Sequence, residues 1–73
     1  MQLKASVQIG KGGISEGVVE EIIAQLKKRK VVKIKFLRNA DRSDFRKKIE
    51  KIATLTNAEI VEIRGFTAIL KRK

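Results

Sequence analysis

Hydrophobic positions in this chain switch between two spacings. Leu3, Ala5, Val7 and Ile9 alternate with Lys4, Ser6 and Gln8, the pattern of a strand with one buried face. Val18, Val19, Ile22, Ile23 and Leu26 then fall on one side of an α-helix. In VVKIKFL, alternation returns, with Val32, Ile34 and Phe36 on one side and Lys33 and Lys35 on the other. Phe45, Ile49, Ile52 and Ala53 restore helical spacing, and EIVEIR and TAILK alternate once more. The pattern predicts the order βαβαββ.

Local signals place the boundaries. Gly10, Lys11, Gly12 and Gly13 form a glycine-rich corner after the first strand, with backbone amides there and in the next helical turn left free to donate. Ser15 is a suitable N-cap, Ile14 can pack on Val19 as a hydrophobic staple, and the first helix starts near Glu16. Its early Glu16, Glu20 and Glu21 and late Lys27, Lys28, Arg29 and Lys30 follow the helix dipole, which favours reading the late basic run as structural and solvated. After the loop of Arg38, Asn39 and Ala40, either Asp41 or Ser43 is expected to cap the second helix, and Asn57 suits the left-handed residue that ends it. Gly65 and Phe66 fit a two-residue type II′ turn.

That turn sets Arg64 opposite Thr67, Ile63 opposite Ala68, Glu62 opposite Ile69 and Val61 opposite Leu70. One face of the hairpin, with Val61, Ile63, Ala68 and Leu70, is apolar; the other is mostly polar. The second strand divides the same way. The fold class that follows is an α/β two-layer, open-face sandwich, a four-stranded mixed sheet with two helices on one face. Residues 1–73 read as a single domain, with Lys71, Arg72 and Lys73 as a loose basic tail.

Composition narrows the function. A chain of 73 residues buries about 60% of its unfolded surface, enough for one modest core and too little for a large substrate cavity. With neither Cys nor His, thiolate chemistry, the commonest general base and the commonest metal ligand are missing. The glycines fail the dinucleotide fingerprint because Ser15 stands where glycine is needed, and the Walker spacing is absent. No enzyme activity, cofactor, metal or small-molecule substrate is expected. No apolar run approaches a membrane span and no signal-peptide apolar region opens the chain, so no membrane partner is expected and the location is read as cytoplasmic. The formal charge of +10 makes a polyanion the natural partner, nucleic acid first.

If the first three strands run parallel, their C-terminal ends share one edge, where ligands favour binding. That edge gathers the GKGG corner, Arg38, Arg42 and Arg64, with Arg46 one turn into the second helix. Lys11 and these arginines would ring a surface of free amides suited to phosphates, with Phe66 placed to stack on an unpaired base. Gly17 and Ala24 fall on the solvent side of the first helix, a small surface that lets a bulky partner approach.

LKASVQIGKGGISEGVVEEI, VVKIKFL and TNAEIVEIRGFTAILKR resemble the CRM domain (chloroplast RNA splicing and ribosome maturation), in particular its small stand-alone members of the YhbY type. The resemblance is most specific at Gly10 through Gly13 followed by Ile14, Ser15, Glu16 and Gly17. It implies a mixed four-stranded sheet similar to the C-terminal domain of bacterial translation initiation factor three. It also implies RNA binding by the GxxG loop, with Gly10, Lys11, Gly12, Gly13 and Gly17 as matching positions. The implied partner is structured ribosomal RNA, or precursors of the large ribosomal subunit. The sequence departs at Ala5, where proline is common, and at Phe66, where the family carries a basic residue. An Alba-like archaeal chromatin protein acting on duplex DNA resembles the same layout, and a protein-interaction module is the third reading.

Overall fold

The computed structural model describes residues 7–73. Its elements are β1 (Val7–Ile9), α1 (Glu16–Arg29), β2 (Val31–Phe36), α2 (Phe45–Thr56), β3 (Ala58–Arg64) and β4 (Thr67–Arg72), in the expected order. Leu3 and Ala5 of the predicted first strand lie outside the described residues. Val7 and Ile9 are buried and Gln8 between them is exposed, as alternation requires.

Strands joined through a helix run parallel and those joined by a tight turn run antiparallel. β1 accordingly pairs parallel with β2, and β4 lies antiparallel between β2 and β3, giving the order β1-β2-β4-β3. β1, β2 and β3 therefore end on one edge. Val32, Ile34, Phe36, Ala68 and Leu70 on the inner face meet Ile22 and Leu26 from α1 and Phe45, Ile49, Ile52 and Ala53 from α2. Fully burying a side chain such as Ile34, Ile49 or Leu70 contributes about 1.5–3 kcal/mol, so packing alone holds a chain without disulfides.

The first helix is capped as its sequence predicts. Ser15 is extended and its Oγ accepts from the Val18 amide at 3.3 Å. Asn57 ends α2 at φ 54°, its N–H donating to the Ala53 and Thr54 carbonyls. The start of α2 differs from expectation, since Asp44 holds the N-cap position, left-handed at φ 50° and without a side-chain cap bond. Asp41 is used elsewhere. Its Oδ1 accepts from the Ser43 amide at 3.0 Å and from the Ser43 hydroxyl, closing an Asx turn ahead of the helix. This delay brings Phe45 to the core between Phe36 and Phe66, with ring centroids at 4.9 and 5.5 Å.

The hairpin keeps its predicted register from Arg64 opposite Thr67 to Glu62 opposite Ile69, and Gly65 turns at φ 58°. It then departs. Ile60, not Val61, faces Leu70, because a β-bulge inserts Val61 as an extra residue. Strict alternation would have turned the larger Ile60 outward; the bulge packs it against the core and leaves Val61 56% exposed. The expected basic tail is also largely strand. Lys71 pairs with Val31 and Glu59, and the Arg72 amide donates to the Lys30 carbonyl at 2.8 Å.

Candidate functional site

Three short links bind the shared edge together. The Leu37 amide donates to the Ile9 carbonyl at 2.8 Å, the Phe36 amide donates to the Phe66 carbonyl at 2.9 Å, and the Ala40 amide closes a turn on Leu37 at 3.0 Å. The corner after β1, the loop after β2 and the β3–β4 turn are thereby tied in a row.

Each glycine of the corner has its own reason. The Gly13 amide donates to the Gly10 carbonyl at 3.0 Å, making a β-turn with Lys11 and Gly12 at its centre. That bond uses one of the corner amides expected to be free, while the Lys11 and Gly12 amides make no hydrogen bond among the described residues. Gly13 sits at φ 66°, a conformation that disfavours any side chain. A Cβ at Gly10 would lie 3.3 Å from Asn39 Oδ1 and 3.7 Å from Leu37 Cδ1, so Gly10 lets the β2 loop close against the corner. Gly12 has neither reason. Its φ is not positive, a Cβ there would meet nothing within 4 Å, and Lys11 beside it is exposed. Gly17 is exposed too, and its missing Cβ would touch only Ser15 Oγ, at 3.8 Å.

The arginines divide into three kinds. Arg38 and Arg46 are exposed, Arg38 in the turn after β2 and Arg46 in the first turn of α2. Arg42 is engaged within the fold. Its guanidinium carbon lies 4.3 Å from the centroid of the Phe66 ring, one Nη donates to the Phe36 carbonyl at 3.2 Å, and its Nε is buried without a partner among the described residues. Phe66, 42% exposed, therefore carries a cation on its ring and packs edge-to-face with Phe45 rather than standing free. Arg64 stands apart. Its side chain is 88% exposed, lies 3.9 Å from Glu62 Oε1, and shares the open sheet face with Lys33, Thr67 and Ile69. Three strand spacings of about 4.8 Å separate the β3 backbone from that of β1.

Two lysines of α2 were not singled out by sequence. Lys48 and Lys51 line a cleft with Gly13, Ile14, Phe36 and Asp41, next to the corner. Lys48 is occupied, its Nζ donating to the Asp41 carbonyl at 2.9 Å and lying 3.2 Å from Asp41 Oδ2. The Ser43 hydroxyl and amide, then Lys48, hold the Asp41 carboxyl down from 3.8 to about 2. Lys51 is exposed with no partner among the described residues. Their i, i+3 spacing, which sets both on the α2 side facing the corner, was the available signal.

Fold and edge define a one-sided α/β domain whose glycine–lysine corner opens at the ends of parallel strands, flanked by free and engaged cations. Within that class the particular family is identified by comparison. The chain belongs to the CRM family: the CRS1 / YhbY (CRM) domain model matches residues 1–72. Among solved structures it is similar to the solution structure of hypothetical protein SAV1595 from Staphylococcus aureus, described as "a putative RNA binding protein". The two are 28% identical, with a TM-score of 0.78 over 97% of this chain and 73% of that one. Comparison with curated proteins found no match.

Proposed function

We propose that this chain binds RNA, clamping a phosphate backbone at the GKGG corner. One observation carries the reading: Gly12 is a glycine that neither backbone conformation nor packing requires, in a turn that also offers an exposed lysine and two unused amides. Space left open beside donors suits close approach by a large anionic partner. Lys11, Arg38, Arg46 and Lys51 are the cations within the clamp that are free to meet phosphates, and Gly17 keeps the adjoining helix surface low. Arg42 and Phe66 act as a brace that also presents a flat, charged surface to a base. Family membership and the description of the Staphylococcus aureus protein support RNA as the polymer. The target we assign is structured ribosomal RNA during assembly of the large subunit.

The test compares Lys11→Glu and Gly12→Asp with the parent chain, by fluorescence anisotropy on structured RNA and on duplex DNA at matched salt. Both variants should keep the parent circular dichroism and lose RNA affinity. Unchanged RNA affinity in both removes the corner from the mechanism, and a strong duplex DNA preference overturns RNA as the polymer. For the ribosomal target, RNA crosslinked in cells should be enriched in large-subunit precursors.

A further inference from the structure

Charge on this molecule is concentrated away from the corner. Lys27, Lys28 and Arg29 form the last turn of α1, and Lys30 follows as its C-cap. Lys71, Arg72 and Lys73 arrive from the far end of the sequence. The strand pairing of Val31 with Lys71 and the 2.8 Å bond from the Arg72 amide to the Lys30 carbonyl bring the two runs together. All seven side chains are exposed, and Glu59, 3.9 Å from Lys71, is the carboxylate paired into the group. Seven cations less one carboxylate leave six of the formal +10 at this pole. β2 runs from here to the corner edge, its six residues joined by five steps of about 3.3 Å, so roughly 17 Å separates the two surfaces.

A helix dipole accounts for part of this cluster but not for all of it. Cations in the last turn of α1 are favourable there. Lys71, Arg72 and Lys73 belong to no helix, and bringing their strand end against Lys30 adds cations to the end of the domain where α1 already places its own, a repulsion that folding must overcome. Lys30 adds a second departure from the structurally simplest choice. It occupies the left-handed cap at φ 67°, where glycine is the usual residue, so a cation stands at a backbone position that disfavours side chains.

We propose that this pole is a second RNA-binding surface, contacting the phosphate backbone of a different RNA segment from the one at the corner, so that one chain bridges two segments. The proposal rests on the RNA-binding reading. It goes further by assigning the basic run of α1 and the end of β4 a joint role, and by giving the domain two opposed contact surfaces instead of one basic edge.

The decisive variant is K27Q/K28Q/K30G/K73Q, which removes four exposed cations and relieves the left-handed lysine. K30G/K73Q serves as a milder second variant should the first melt early. Binding of a short RNA hairpin, too small to reach both surfaces, is titrated to saturation, and bridging is followed by energy transfer between donor- and acceptor-labelled hairpins. The parent chain should bind two hairpins and produce transfer. The pole variant and K11E/G12D should each bind one and produce none. Each phosphate contact adds about 0.7 on a single strand to about 0.9 on a duplex to the slope of log affinity against log salt, so the four substitutions should remove up to about 3–3.6 from the slope at the pole. A parent stoichiometry of one, or unchanged transfer in the pole variant, overturns the second surface and leaves the corner reading intact. Loss of all binding in the pole variant, with K11E/G12D unaffected, overturns the corner instead, and no binding by the parent overturns both.

Discussion

Gly12 and Gly13 are adjacent, yet alanine should affect them oppositely. At Gly13, φ 66° is a region where an L side chain crowds its own backbone at roughly 1–2 kcal/mol. In a domain of this size each kcal/mol corresponds to a melting shift of about 4–8 °C, so Gly13→Ala should lower the midpoint by about that amount or more. At Gly12 the backbone is not left-handed and a methyl group meets nothing within 4 Å. Gly12→Ala loses no contact and narrows the unfolded ensemble, which stabilises by about 0.4–1 kcal/mol. Gly12→Asp should fold equally well but places a carboxylate where the proposed phosphate lies. Like charges 4 Å apart repel by about 1 kcal/mol even in water, about fivefold in affinity, and by more if water is excluded. Thermal melts by circular dichroism give the first comparison, RNA anisotropy at fixed salt the second. Equal destabilisation by the two alanines would refute the assignment of conformational need to Gly13 alone. A Gly12→Asp affinity within twofold of the parent would refute the approach of phosphate to Gly12.

Arg42→Ala should destabilise by about 1–2 kcal/mol in urea titrations, since it removes a charged hydrogen bond to the Phe36 carbonyl and the stack on Phe66. Arg42→Lys should recover only part of this because an ammonium lacks the planar fork, and full recovery would show that charge alone matters. The Asp41 carboxyl is held down at about 2, so whatever stability its bonds to Ser43 and Lys48 provide is present above 3.8 and lost as pH falls from there through about 2. Carboxyl carbon NMR should show the low midpoint, and Ser43→Ala should raise it. The bulge can be tested by pairing two substitutions: Val61→Thr should leave stability within about 0.5 kcal/mol, and Ile60→Ala should cost more than that.

Much of the fold was legible because local chemistry and tertiary structure agree. Ser15, Asn57 and Gly65 act where their side chains or backbone freedom predict, and the inward residues of β2 and α2 follow from period alone. The departures arise where tertiary contacts overrule a local preference. Asp41 has the chemistry of a cap but spends its carboxylate on Ser43 and Lys48, and the helix begins at Phe45, which packs between two rings from other elements. The bulge at Val61 follows from the competition between Ile60 and Val61 for the inner face, which alternation cannot express. The site was legible by residue type more than by role. The corner and its exposed lysine stand as expected, but Arg42 and Phe66 engage each other across the α2 entry and the hairpin turn. Arg64 turns to the open sheet face. Such pairings depend on three elements meeting and leave no spacing in the sequence.

The brace changes what the corner can do. An arginine expected among the phosphate contacts also locks the hairpin turn to the start of α2 and the end of β2 through Phe66 and the Phe36 carbonyl. The neighbouring loop closes against Gly10, and Leu37 ties β2 to Ile9. On the proposed reading, a corner held this way would meet a phosphate with its amides already oriented, so little ordering would oppose binding. Its local charge is about half that of the pole, because Asp41, Asp44 and Glu16 interleave with Lys11, Arg38, Arg42, Arg46, Lys48 and Lys51. The larger share of any long-range attraction for a polyanion would then come from the opposite pole, where seven cations face one carboxylate. If both surfaces bind RNA, salt should weaken contact at the pole more than contact at the corner, because seven exposed cations stand at the pole against four free ones at the corner, where amides that release no counterion share the phosphate. On the two proposals together, the surfaces would have different work: the pole would gather RNA from a distance, and the corner would fix the backbone it holds.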